Sequence, residues 1–144
     1  MNHLYTVLLV THVVVAVLGL GSITSVAIVA ATARRVGRGS GGVLAWLGPL
    51  LRYSGISLGA MLLTGILLVF ISGGAVRGAW WVRGSVLLLI ATGALHARAR
   101  RAVRDGLVNE GDSALALLRV EQTSYGMCAL VAGIVVLMTA KPFG

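Results

Sequence analysis

From Leu4 to Ala33 the chain runs for thirty residues without one Asp, Glu, Lys or Arg. As a helix this stretch is about 45 Å long, more than the roughly 30 Å of a bilayer's hydrocarbon core. No soluble fold of ordinary size buries such a segment, so lipid is its natural solvent. Its end, Ala31-Thr32-Ala33 before Arg34, has the small-residue pattern of a signal-peptidase site. However, no basic residue precedes the apolar run, and the run is about twice the length of a secretory signal's apolar region, so retention is expected.

The rest of the chain is of the same kind. Of 144 residues, 58% are hydrophobic and 11% charged, too apolar for a soluble domain of this size. Further apolar spans are expected at about 52–72, 80–97 and 120–140, with the first at about 4–33. The predicted fold is all-α, a membrane-embedded, left-handed antiparallel four-helix bundle forming a single domain over 1–144. Between the first two spans, Arg34 to Pro49 reads as a loop around Gly39-Ser40-Gly41-Gly42, with Trp46 at an interface. Gly73-Gly74 reads as the end of the second span. Asn109 to Ser113 reads as a turn, with Asp112 or Ser113 capping the last helix.

Eleven of the twelve basic residues are arginines standing beside the apolar runs. They read as topology signals, and the formal charge of +8 implies no nucleic-acid partner. Nine (Arg34, Arg35, Arg38, Arg52, Arg98, Arg100, Arg101, Arg104, Arg119) flank the first and third connections, and three (Arg77, Arg83, Lys141) lie elsewhere. The positive-inside rule then predicts a bacterial-type inner membrane location with both termini outside the cytoplasm. The single cysteine, Cys128, excludes an intrachain disulfide and a cysteine-built metal site.

Helices gain little in lipid from apolar contact and associate where small residues let backbones approach. Gly55 with Gly59 and Ala129 with Gly133 have that spacing, as do Gly21 with Ser25 and Gly93 with Ala97. They mark helix-packing faces, within one chain or between copies.

No acidic residue lies in mid-span, which removes the usual signature of a cation-coupled transporter. There is no paired-carboxylate arrangement to divide acid and base roles, so no catalytic residue is assigned and a non-enzymatic role is expected. His12 is the imidazole well inside a span, about 12 Å along the helix from Leu4. Tyr5, Leu8, Leu9, Val15, Ala16 and Gly19 share its face, leaving a shallow space in which a flat ligand such as haem b could lie with His12 on its iron. The alternative is a neutral imidazole hydrogen-bonded within the bundle. His96 falls near the opposite membrane surface and cannot share an iron with His12. Met61, and Met127 or Cys128, are nearer in depth as second ligands. A second cluster, Arg52, Tyr53, His96, Arg98, Arg119, Glu121 and Gln122, gathers at the arginine-rich surface. There Glu121 is expected to pair with an arginine of the second or third helix, and surplus arginines could hold an anion or phospholipid headgroup.

His12, Ala16, Gly19 and Gly21 in the first helix, the arginines after it and the closing Leu137-Met138-Thr139-Ala140-Lys141-Pro142 resemble a bacterial family of small predicted integral membrane proteins of unknown function. The histidine-then-glycine first helix is more loosely similar to that of the copper-resistance D-type membrane proteins. Neither resemblance implies an established activity. The leading expectation is an accessory or oligomer-forming subunit whose partners are membrane lipids and itself or a larger membrane complex. A haem- or metal-binding protein using His12 is the second, and an oligomeric channel the third.

Overall fold

The computed structural model describes residues 3–37, 40–72 and 79–139. Arg38, Gly39, Gly73-Gly74, Arg77 and the closing Ala140-Lys141-Pro142 lie outside them. Four helices carry the chain: α1 (His3–Val36), α2 (Ser40–Ile71), α3 (Trp80–Val108) and α4 (Ser113–Thr139), with a short 3-10 turn, Glu110–Asp112, before the last. Each is long and apolar enough to cross a membrane, and the chain is a multi-pass helical bundle.

The inward positions recur at steps of three and four. They are Ser85, Thr92, His96, Ala99, Val103 and Gly106 on α3, and Leu117, Val120, Ser124, Met127, Val131 and Ile134 on α4. A period near 3.5 keeps one stripe of each helix against its neighbours along its whole length. Space at the glycines gives the register. A Cβ on Gly19 would meet Ser57, one on Gly55 would meet His96, and one on Gly84, Gly126 or Gly133 would meet Leu137, Leu95 or Leu88. In each helix pair one number falls as the other rises, so neighbours run antiparallel in the ring α1-α2-α3-α4. α2 and α4 touch only sparingly across the diagonal.

The helices run past the apolar spans at the arginine-rich end, and one expectation is corrected there. The stretch 34–49 is not a loop: α1 stops at Gly37, whose φ of +65° only glycine adopts freely, and α2 is already helical at Ser40. Leu44, Leu47 and Leu51 form a buried stripe at helical spacing. That burial outweighs the weak helix propensity of the glycines and the missing N–H of Pro49, which faces outward. α3 continues as helix beyond Ala97, where its apolar span was expected to end, with Ala99, Ala102, Val103 and Gly106 on its inner stripe and Arg98, Arg100, Arg101 and Arg104 pointing out.

The core is therefore concentrated toward this end, where Ile23, Val26 and Ala30 meet Leu44, Leu47, Leu51, Ala102, Val103, Leu117 and Val120. Gly106 is its tightest point, since a Cβ there would lie 2.5 Å from that of Ala116 and 2.9 Å from Leu44. The opposite end is less filled, and that is where the bundle holds a cavity.

Candidate functional site: an imidazole-headed intramembrane cavity

Beyond its first turn α2 carries two hydroxyl-glycine steps, Ser54-Gly55 and Thr64-Gly65. Each receives a buried histidine from a neighbouring helix. Ten residues separate the steps, about 15 Å along the axis and about 80° around it. They therefore face the two helices that flank α2. His12 of α1 sits over Gly65, where a Cβ would lie 3.3 Å from its Cε1. His96 of α3 sits over Gly55, where a Cβ would lie only 2.7 Å from its Nε2. Glycine provides the room for a ring in both places, so Gly55 works inside the bundle, while Gly59, four residues on, has open space above it.

His12 is hydrogen-bonded to α2. Its Nδ1 lies 2.7 Å from Thr64 Oγ1. The Thr64 hydroxyl has a single proton, and it is given back along α2, to the carbonyl of Ala60 at 2.8 Å with that of Met61 at 3.2 Å. With the proton placed there the Thr64 oxygen accepts and His12 Nδ1–H donates to it; the other tautomer of the ring reverses the bond. In the first arrangement the ring is the Nδ1–H tautomer, whose Nε2 carries a lone pair.

His12 lines a cavity of about 450 Å³ between α1, α2, α3 and α4, at the end away from the arginines. Leu9, Met61, Ile66, Val86, Leu89 and Met138 give it an apolar lining, and Tyr5, Ser72, Trp81 and Ser85 add a few polar groups. A volume of several hundred Å³, largely apolar with few polar groups, is the form of a small-molecule or cofactor site. Met61, proposed from the sequence as a companion of His12, lines it; Met138 does so too and had no sequence signal beyond its helical register. Met127 is fully buried among the core residues and Cys128 contacts Thr24 at 3.8 Å, so neither joins the cavity lining.

Compared with known protein families, characterised proteins and solved structures, the chain matches none. The site has to be read from its own chemistry. Among the described residues no group of three His, Cys, Asp or Glu side chains could hold a bare metal ion. A single imidazole on an apolar cavity suits a group that brings its own remaining ligands.

The second expected cluster is not one site. Glu121 pairs with Arg34 of α1, not with an arginine of α2 or α3: Nε donates to Oε2 at 2.6 Å and a terminal nitrogen to Oε1 at 3.3 Å. α1 continues past its apolar stretch, which carries Arg34 alongside the first turns of α4. Arg52, Tyr53, Arg98, Arg119 and Gln122 all face outward, whereas His96 is buried, its Nδ1 3.5 Å from Ser54 Oγ and its Nε2 without a partner. Ser124 Oγ, on the facing stretch of α4, is buried and unpartnered as well. Of the packing residues, Gly133 faces Leu88 of α3 and Ala129 faces outward.

Proposed function

We propose that the chain is a non-enzymatic membrane-embedded haem b protein, holding the porphyrin in the cavity at His12 with the imidazole Nε2 as axial ligand. The observation that carries this reading is the placement of His12 at an apolar cavity with its Nδ1 2.7 Å from Thr64 Oγ1, itself 2.8 Å from the Ala60 carbonyl; in the Nδ1–H tautomer Nε2 is then a lone-pair donor. A ligating histidine is held this way in metal and haem sites, its second nitrogen donating to a fixed acceptor. The porphyrin supplies four nitrogens of its own, which agrees with the lack of any multi-residue metal cluster among the described residues. Met61 and Met138 line the same cavity as thioether candidates for the other axial position. The cavity lies at the end bearing the three sparse basic residues; by the positive-inside rule both termini and the cavity then face the outer side of an inner membrane. The test is the visible spectrum of the detergent-purified protein expressed with haem available, for wild type and His12→Gln.

A second reading, an oligomer-forming subunit, is supported by the outward placement of small residues. Gly21 and Ser25 on α1 and Gly93 and Ala97 on α3 face away from the bundle, with nothing within 4 Å of a Cβ on either glycine. Cross-linking of the protein in native membranes tests it: a discrete dimer or higher band that vanishes in Gly21→Leu or Gly93→Leu is expected.

A further inference from the structure

At the arginine-rich end, α2 and α3 enclose a second recess of about 450 Å³, lined by Gly48 and Leu51 of α2 and by Ala97, Arg100, Arg101, Val103, Arg104 and Leu107 of α3. The three arginines fall within about 6 Å of rise and an arc of about 100° on α3, and all three line the recess. Their charge is little compensated. Arg104 has Asp105 at 3.6 Å in an outward-facing contact, and no acidic group lies within 4 Å of Arg100 or Arg101 among the described residues. Beneath them the walls are apolar, and Gly48 keeps them open, with nothing within 4 Å of where its Cβ would be.

The recess also has a definite depth. The apolar stretch of α3 ends at Ala97, so the arginines follow where hydrocarbon gives way to headgroups. On α2, Trp46 faces outward, 75% exposed, about 3 Å of rise from Gly48, the placement of an indole at a membrane interface. A site of this kind has three requirements in its ligand: negative charge at headgroup level, a polar body small enough to enter between two helices, and an apolar part directed toward Leu51 and Ala97.

We propose that this recess binds an anionic phospholipid, its phosphate held by Arg100, Arg101 and Arg104 and its glycerol and first acyl carbons packed on Leu51 and Ala97 in the space that Gly48 leaves. Phosphate is the chemistry that guanidinium groups recognise, and the apolar floor selects the lipid over a free anion. The site does not depend on His12, and it differs from the sequence-expected cluster in using the α3 arginines one turn farther along, with Gly48 as its floor.

The experiment uses the full chain in detergent micelles doped with phosphatidylglycerol, with phosphatidylcholine, or with inorganic phosphate alone, read by native mass spectrometry and by the thermal midpoint. Retention of phosphatidylglycerol over phosphatidylcholine is expected, with no comparable shift from inorganic phosphate. Each arginine near an anionic headgroup is worth about fivefold in affinity, so Arg101→Gln should weaken binding by about that factor. Arg83→Gln, an outward arginine at the other end, should leave it unchanged. Gly48→Leu keeps every charge and places its Cβ in open space, and by filling the recess it should weaken binding at least as much as Arg101→Gln. This substitution keeps the test decisive if an arginine variant fails to fold. Equal retention of the two lipids, a phosphate shift as large as the lipid's, or undiminished binding in Gly48→Leu would each overturn the proposal.

Discussion

Arg34 and Glu121, 87 positions apart in sequence, tie the end of α1 to the first turns of α4 through two charge-assisted hydrogen bonds of 2.6 and 3.3 Å. The two sides of the pair are unequal. The Glu121 side chain is 10% exposed and that of Arg34 43% exposed. Removing the guanidinium strands an inward carboxylate, whereas removing the carboxylate leaves an arginine that can turn to water or headgroups. Both Arg34→Gln and Glu121→Gln should lower the melting temperature in detergent, Arg34→Gln by more. An unchanged melting temperature in both would mean that the pair is merely solvated.

Gly106 gives a sharper test of packing. Ala116 Cβ is part of a rigid helix and cannot rotate away from a new methyl group, so Gly106→Ala forces α3 and α4 apart where the core is densest. A loss of about 1–3 kcal/mol is expected, measured as unfolding in a denaturing detergent. Gly59→Ala, with open space around it, should be neutral or slightly stabilising through helix propensity. The reverse order would show that the register of α3 on α4 is wrong.

These contrasts show what the sequence made legible. The four helices and their apolar stretches follow directly from uncharged runs such as Leu4 to Ala33. The start of α2 was hidden because Gly39 to Gly42 and Pro49 mask the period of Leu44, Leu47 and Leu51, and tertiary burial decided the matter. His12 stood out as a polar residue in lipid, but nothing local announces that Thr64 orients it or that Gly65 makes its room. Gly55 and Gly59 look equivalent as a spaced pair; only the placement of His96 separates them. Glu121 had several arginines to choose from, and the overrun of α1 selected Arg34.

Thr64 is predicted to act through His12. Thr64→Val keeps the shape but removes the acceptor for Nδ1–H, freeing the ring to change tautomer or rotate. Haem affinity should fall by about 10–100-fold, the usual effect of losing the partner of a ligating histidine, with a shifted absorption maximum in what remains bound. Thr64→Ser should retain the wild-type spectrum. Identical spectra and affinities in Thr64→Val and wild type would remove Thr64 from the site.

Membrane orientation rests on the nine-to-three distribution of basic residues. Reporter fusions after Arg38 and Arg104 should be active only as cytoplasmic reporters, and fusions after Gly74 and Gly144 only as external ones. The opposite pattern would place the His12 cavity on the cytoplasmic side and the α2–α3 recess outside.

The central claim, that His12 Nε2 is a ligand in its cavity, is tested most directly by the absorption spectrum of the purified protein expressed with haem in excess. About one haem per chain, with a Soret band present in wild type and in Arg101→Gln but absent in His12→Gln, is the predicted result, since an amide is a poor substitute for an imidazole on iron. A wild-type protein that is folded and cooperative in its unfolding yet shows no Soret band, or a band that persists undiminished in His12→Gln, would contradict it.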